Sequence, residues 1–79
     1  MSSYGIRYAD RAAQMKAALP SAQRASLEAL EKKLSNSPFG HGARNNNDNS
    51  WSAFFLGGMI TYVVSDHHLV VNVINLITL

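Results

Sequence analysis

The sequence has no cysteine, which excludes disulfide staples, thiol catalysis and thiolate metal sites. It has no apolar run near the roughly 20 residues that a membrane-spanning helix needs. The longest stretches are interrupted by Gly57, Gly58, Ser65, Asp66, Asn72 and Asn75. No positively charged start leads into an apolar segment of the kind found in signal peptides. These absences predict a soluble, cytoplasmic protein without membrane association. Lys and Arg are missing from the chain beyond Arg44. All seven Lys and Arg residues lie at or before Arg44, where Asp10, Glu28 and Glu31 reduce them to +4, while Asp48 and Asp66 leave the remainder at −2. A basic half of this kind attracts phosphate or an acidic protein, although solvated helix faces ordinarily account for such charges. The 79 residues allow one domain spanning 1–79 with one modest core, a size at which a partner protein or a homodimer adds useful stability.

What is present is patterned. Tyr4, Ile6 and Tyr8 alternate with Gly5 and Arg7, the period of a strand with one face on a core. Asp10 then offers an N-cap, and Ala12, Met15 and Leu19 share a helical face before Pro20 ends the segment. Ser21 offers the next cap, and Leu27, Leu30 and Leu34 repeat at helical spacing through residues rich in Ala, Glu and Lys, to an end near Ser35. The stretch 36–50 carries Asn, Ser, Gly and Pro without periodicity, including Asn45-Asn46-Asn47-Asp48-Asn49, and reads as a long loop. Trp51 to Leu56 and Met59 to Ser65 read as a hairpin about a primed Gly57-Gly58 turn, and Leu69 to Leu79 as a further strand after Asp66-His67-His68. The predicted fold is α+β, in the order strand-helix-helix-strand-strand-strand. The helical hairpin packs on one face of a mainly antiparallel sheet.

The last strand is apolar on both sides. Strict alternation groups Leu69, Val71, Val73, Ile77 and Leu79 with Asn75, and Val70, Ile74 and Leu76 with Asn72 and Thr78. Two helices cover only one of these faces. Val70, Asn72, Ile74 and Leu76 are therefore the expected partner interface.

The run from Leu56 to Val71 resembles the hairpin of the RelE/ParE superfamily, the toxins of bacterial type II toxin-antitoxin pairs. The family pattern Gly-aromatic-Arg-aliphatic-x-Tyr-x-aliphatic-x-Asp aligns without a gap at Gly57, Ile60, Tyr62, Val64 and Asp66. Tyr8 to Ala13 is similar to the passage from the family's first strand into its first helix, and Leu27 to Pro38 to its second helix and exit, so nearly the whole chain can be laid on the family. The resemblance implies an antitoxin partner and ribosome-dependent cleavage of messenger RNA, or growth inhibition by another route. It implies no cofactor.

The catalytic pattern departs from the family's. Met59 stands where messenger-cleaving members have arginine, Ser50 and Ser52 where they have basic residues, and Ile77-Thr78-Leu79 where an arginine or histidine and then a tyrosine follow. Cleavage through the 2′-hydroxyl needs a base to take its proton and cations for the transition state. Three explanations fit this departure: a non-cleaving member, a set of substitute residues, or a missing C-terminal segment.

The substitutes are few. His41, with Arg44 three residues on, is the candidate base with its phosphate clamp, since imidazole changes charge near neutral pH. Such a histidine is more ordinarily a solvated loop residue. Arg7, Arg11, Lys16, Arg24, Lys32 and Lys33 are the candidate ribosome or RNA contacts, which would hold phosphate without reading sequence. His67 and His68 are adjacent on an extended chain and point apart, so they read as a polar turn and no metal site is expected. Trp51, Phe54 and Phe55 read as core or interface side chains, and Tyr62 as a packed residue with its hydroxyl at the sheet edge. The expected function is that of a RelE/ParE-type toxin; the alternative is a non-enzymatic binding or assembly module acting through the apolar sheet face.

Overall fold

A computed structural model describes residues 3–40 and 43–79. The elements are β1 (Gly5–Tyr8), α1 (Asp10–Ala17), α2 (Ser21–Asn36), β2 (Arg44–Asn45), β3 (Trp51–Phe55), β4 (Gly58–Ser65) and β5 (Val70–Thr78). The sheet runs β1-β5-β4-β3-β2, with β1 parallel to β5 and the other pairs antiparallel. This is the predicted α+β architecture with one addition. The stretch 36–50 contains β2, a two-residue edge strand that pairs Arg44 with Ser52 and Asn45 with Trp51.

The helices form one layer because their apolar residues fall on one stripe. Ala12 and Leu19 from the first helical segment and its exit, with Leu27, Leu30 and Leu34 of α2, are buried against Ala53, Phe55, Ile60, Tyr62, Val71, Val73 and Leu76 of the sheet. Ala9 and Pro20 occupy the N-cap positions that the sequence assigns to Asp10 and Ser21. Asp10 sits instead in the first turn of α1, where its negative charge complements the helix dipole. Arg24 closes the helical hairpin by donating to the carbonyls of Ala17 and Leu19 at 3.1 and 2.9 Å. Tyr8 donates to Glu31, and Lys16 reaches the same carboxylate at 2.8 Å, which ties β1 and both helices together. Burial first, and then Glu31, raise the pKa of the Tyr8 phenol.

The first hairpin turns on Leu56 and Gly57 rather than Gly57 and Gly58, since Phe55 pairs with Gly58. Gly57 takes φ +75°, and its neighbour Gly58 is a strand residue kept small for another reason. A Cβ on Gly58 would lie 2.3 Å from the Phe55 ring and 2.8 Å from the Ile77 carbonyl. The second hairpin turns through 66–69, where Leu69 holds φ 52°. That conformation is costly for a branched residue. It aims the Leu69 carbonyl at the Gly5 amide, 2.8 Å away, and so seats the start of β1 against β5.

One irregularity rearranges the last strand. Thr61 pairs with Asn75 but Tyr62 with Val73, so Ile74 is an extra residue in β5. A bulge exchanges the two faces beyond it. Leu76, expected on the partner side, turns into the core at 2% exposure beside Val71 and Val73, and Ile77 turns outward. The predicted interface of Val70, Asn72, Ile74 and Leu76 therefore loses Leu76 and gains Ile77.

Candidate functional site

Alternation about the core residues defines a second sheet face that neither helix covers. In the pairing register it carries Phe54 of β3 beside Met59 of β4, and Met59 beside Ile77 of β5. These three apolar side chains lie side by side across three strands, with Phe54 56% and Ile77 37% exposed. Thr61 and Asn75 form the next row toward the other end, followed by Val63 and Asn72, then Ser65 and Val70. One end of the open face is therefore apolar and the other polar.

Arginines stand only at the two margins of this face. Arg7 on edge strand β1 pairs with Asn72 of β5, and Arg44 on edge strand β2 pairs with Ser52 of β3. Both are exposed. Between them the described strand residues offer no cation. The remaining candidate contacts are divided from these two by the sheet itself: Arg11, Lys32 and Lys33 are exposed on the helical layer. Lys16 is engaged by Glu31 and lies 5.0 Å from the centre of the Tyr8 ring, while Arg24 is consumed in closing the helical hairpin. The seven cations thus do not make a single basic patch. His41, the candidate base, lies outside the described residues.

The serines that stand at the family's basic positions are also committed. Asn46 donates to the hydroxyls of Ser50 and Ser52 at 3.1 and 2.9 Å, and the Ser50 hydroxyl donates to Asp48 at 2.5 Å. This network closes the β2–β3 connection, in which Asn47 and Asn49 take φ 65° and 68°, values that Asn tolerates. The Ser50 hydroxyl, followed by its backbone amide, holds the Asp48 carboxyl below its usual range. Ser50 and Ser52 are buried. They brace a turn and present nothing to a substrate.

Aromatic residues divide by face. Phe55 is buried in the core, Trp51 packs against Phe39 with ring centroids 4.9 Å apart, and Phe54 alone projects onto the open side. Tyr62 corrects the expectation of an edge hydroxyl. It is fully buried and donates to the Pro38 carbonyl at 2.5 Å, so that its phenol is pushed up to about 12 by burial. This bond anchors the exit from α2 to the sheet centre and leaves the hydroxyl unavailable for proton transfer. Asp66, the other distinctive residue of the hairpin pattern, accepts from the Tyr4 hydroxyl at 2.7 Å and so ties the second hairpin to the start of β1.

Sequence reasoning missed a hollow at the polar end of the face. It is lined by Arg7, Ser65, His68, Val70 and Asn72 and has a volume of about 470 Å³. Of this lining, the sequence points only Arg7 toward an anion; it places Val70 and Asn72 at an interface, His68 in a polar turn and Ser65 at the end of a strand. The signal was present as Arg7 on an alternating edge strand, but its partners become visible only through the parallel pairing of β1 with β5.

The architecture has counterparts among solved structures. The isolated Escherichia coli RelE toxin superposes with a TM-score of 0.85 at 22% identity, covering 96% of this chain and 84% of that one. A chain of the intact E. coli RelBE toxin-antitoxin complex gives 0.86 at 21% identity, covering 98% of each. The archaeal RelE-RelB complex from Pyrococcus horikoshii gives 0.80 at 13% identity, covering 96% of this chain and 94% of that one. The chain therefore has the RelE toxin fold over essentially its full length. Comparison of the sequence with protein-family models and with curated proteins gives no match.

Proposed function

We propose that this protein is the toxin-type component of a toxin-antitoxin pair, in which an antitoxin covers the open sheet face, and that it acts by binding without cleaving RNA through that face. Support for the pair comes from the fold, which is that of RelE proteins solved with their RelB partners. Support for the second half rests on one observation: Phe54, Met59 and Ile77 occupy the centre of one end of the face, with arginines only at its two margins. Apolar side chains neither take a proton from a 2′-hydroxyl nor stabilise a developing phosphorane charge. They do provide the desolvated anchor that a protein segment requires.

Inducing the chain in a bacterial host and mapping messenger ends tests this reading. Growth arrest with intact messenger is expected, relieved by co-expression of a protein that binds the open face. New messenger ends at ribosomal positions would overturn the binding mode, and unimpeded growth would overturn the toxin assignment. The same apolar trio favours a second reading, a homodimeric or assembly module on this scaffold. A stable monomer in gel filtration without apolar-dye binding would exclude it.

A further inference from the structure

We infer that the hollow at the polar end of the open face is a binding site for a small ligand carrying a terminal phosphate, of nucleotide size. Three strands and a hairpin tip build it. Arg7 comes from β1, Ser65 from the end of β4, Val70 and Asn72 from β5, and His68 from the turn between the last two.

The donor set defines the chemistry. Arg7, Ser65, Asn72 and His68 bring a guanidinium, a hydroxyl, a carboxamide and an imidazole to the lining, and no lining residue carries a carboxylate. The nearest acid along the chain, Asp66, is held by the Tyr4 hydroxyl at 2.7 Å. Arg7 forms no ion pair among the described residues, unlike Lys16. Its planar fork suits two oxygens of one phosphate. With Ser65, Asn72 and His68 beside it, the donors suffice for the three free oxygens of a terminal phosphate, more than the two of a backbone diester.

Size extends the assignment beyond a bare ion. A volume of about 470 Å³ falls within the roughly 300–1,000 Å³ of small-molecule sites. Val70 supplies an apolar wall against which the remainder of such a ligand can rest. The site is also remote from the apolar trio. Met59 and Ser65 are six residues apart on β4, about 20 Å at the rise of an extended strand. Substitutions in the hollow can therefore be tested in the free chain without touching the apolar trio.

The experiment is an NMR titration of the 15N-labelled full chain with AMP, adenosine, inorganic phosphate and a trinucleotide RNA with or without a 5′-phosphate. With AMP, amide shifts should saturate at Arg7, Ser65, His68, Val70 and Asn72. Inorganic phosphate should move the same signals more weakly, and adenosine should leave them still. Arg7→Gln should weaken AMP binding about tenfold or more, the scale of one charge-assisted hydrogen-bonded contact. His68→Gln provides a second variant away from the strands, and Lys33→Gln on α2 should change nothing. The trinucleotide binding only when 5′-phosphorylated supports the site and identifies an RNA end as a second source of the phosphate. Equal binding of adenosine and AMP, shifts centred on Lys32 and Lys33, or Arg7→Gln with undiminished affinity would overturn the inference.

Discussion

The two faces of this sheet are made from the same strands, yet they carry different loads. The covered face is closed by the chain's own helices, and its residues are consistent at every level: Leu27, Leu30 and Leu34 at helical spacing meet Ile60, Tyr62, Val71 and Val73 at strand spacing, all buried. The open face has no such closure. It keeps Phe54, Met59 and Ile77 at one end and a polar hollow with Arg7 at the other. Stability is therefore concentrated on one side of the sheet, and the recognition proposed above falls on the other.

Substitutions on the two sides should separate these roles. Leu27→Ala removes a fully buried side chain and should cost about 2–5 kcal/mol in chemical denaturation. Gly58→Ala drives a Cβ toward the Phe55 ring and the Ile77 carbonyl, and about 1–3 kcal/mol is expected from overpacking. Tyr62→Phe leaves the Pro38 carbonyl without its donor and should cost about 1–2 kcal/mol. Phe54→Ser, on the open face, should leave stability within about 0.5 kcal/mol while abolishing antitoxin capture. A large loss of stability in Phe54→Ser would break the division between the faces.

Alkaline pH sharpens the same contrast. The phenol of Tyr62 ordinarily titrates near 10.0 and is pushed up to about 12 by burial. The folded state thus favours its neutral form, and the stability this contributes is complete below pH 10 and lost as pH rises toward 12. Tyr8 is raised in the same direction by burial and by Glu31. Denaturation followed from pH 9 to 12 should show a steep decline in the wild type and a shallower one in Tyr62→Phe. Equal slopes would mean that the covered face does not hold this phenol neutral.

Much of the covered face was legible in the sequence, because local periodicity and burial point the same way there. The two helices, the Gly57 turn and the Tyr62–Asp66 spacing all lead to the observed fold. The open face was less legible, for a specific reason. Its composition depends on the bulge at Ile74, which sends Leu76 inward and Ile77 outward, and no glycine or proline marks that position. The edge strand β2 is two residues long and defined only by pairing with Trp51 and Ser52. Cations were equally misleading in sequence order. Lys16 and Arg24 hold the helices together, while Arg7 and Arg44 face the other side of the sheet.

The central claim is that the open face binds without cleaving. Incubating the purified protein with ribosomes programmed by a defined messenger, followed by primer extension, tests it most directly. The account predicts full-length messenger at every protein concentration tested. Discrete cleavage within the ribosome-held codon, lost on replacing Arg44 or Arg7, would contradict it.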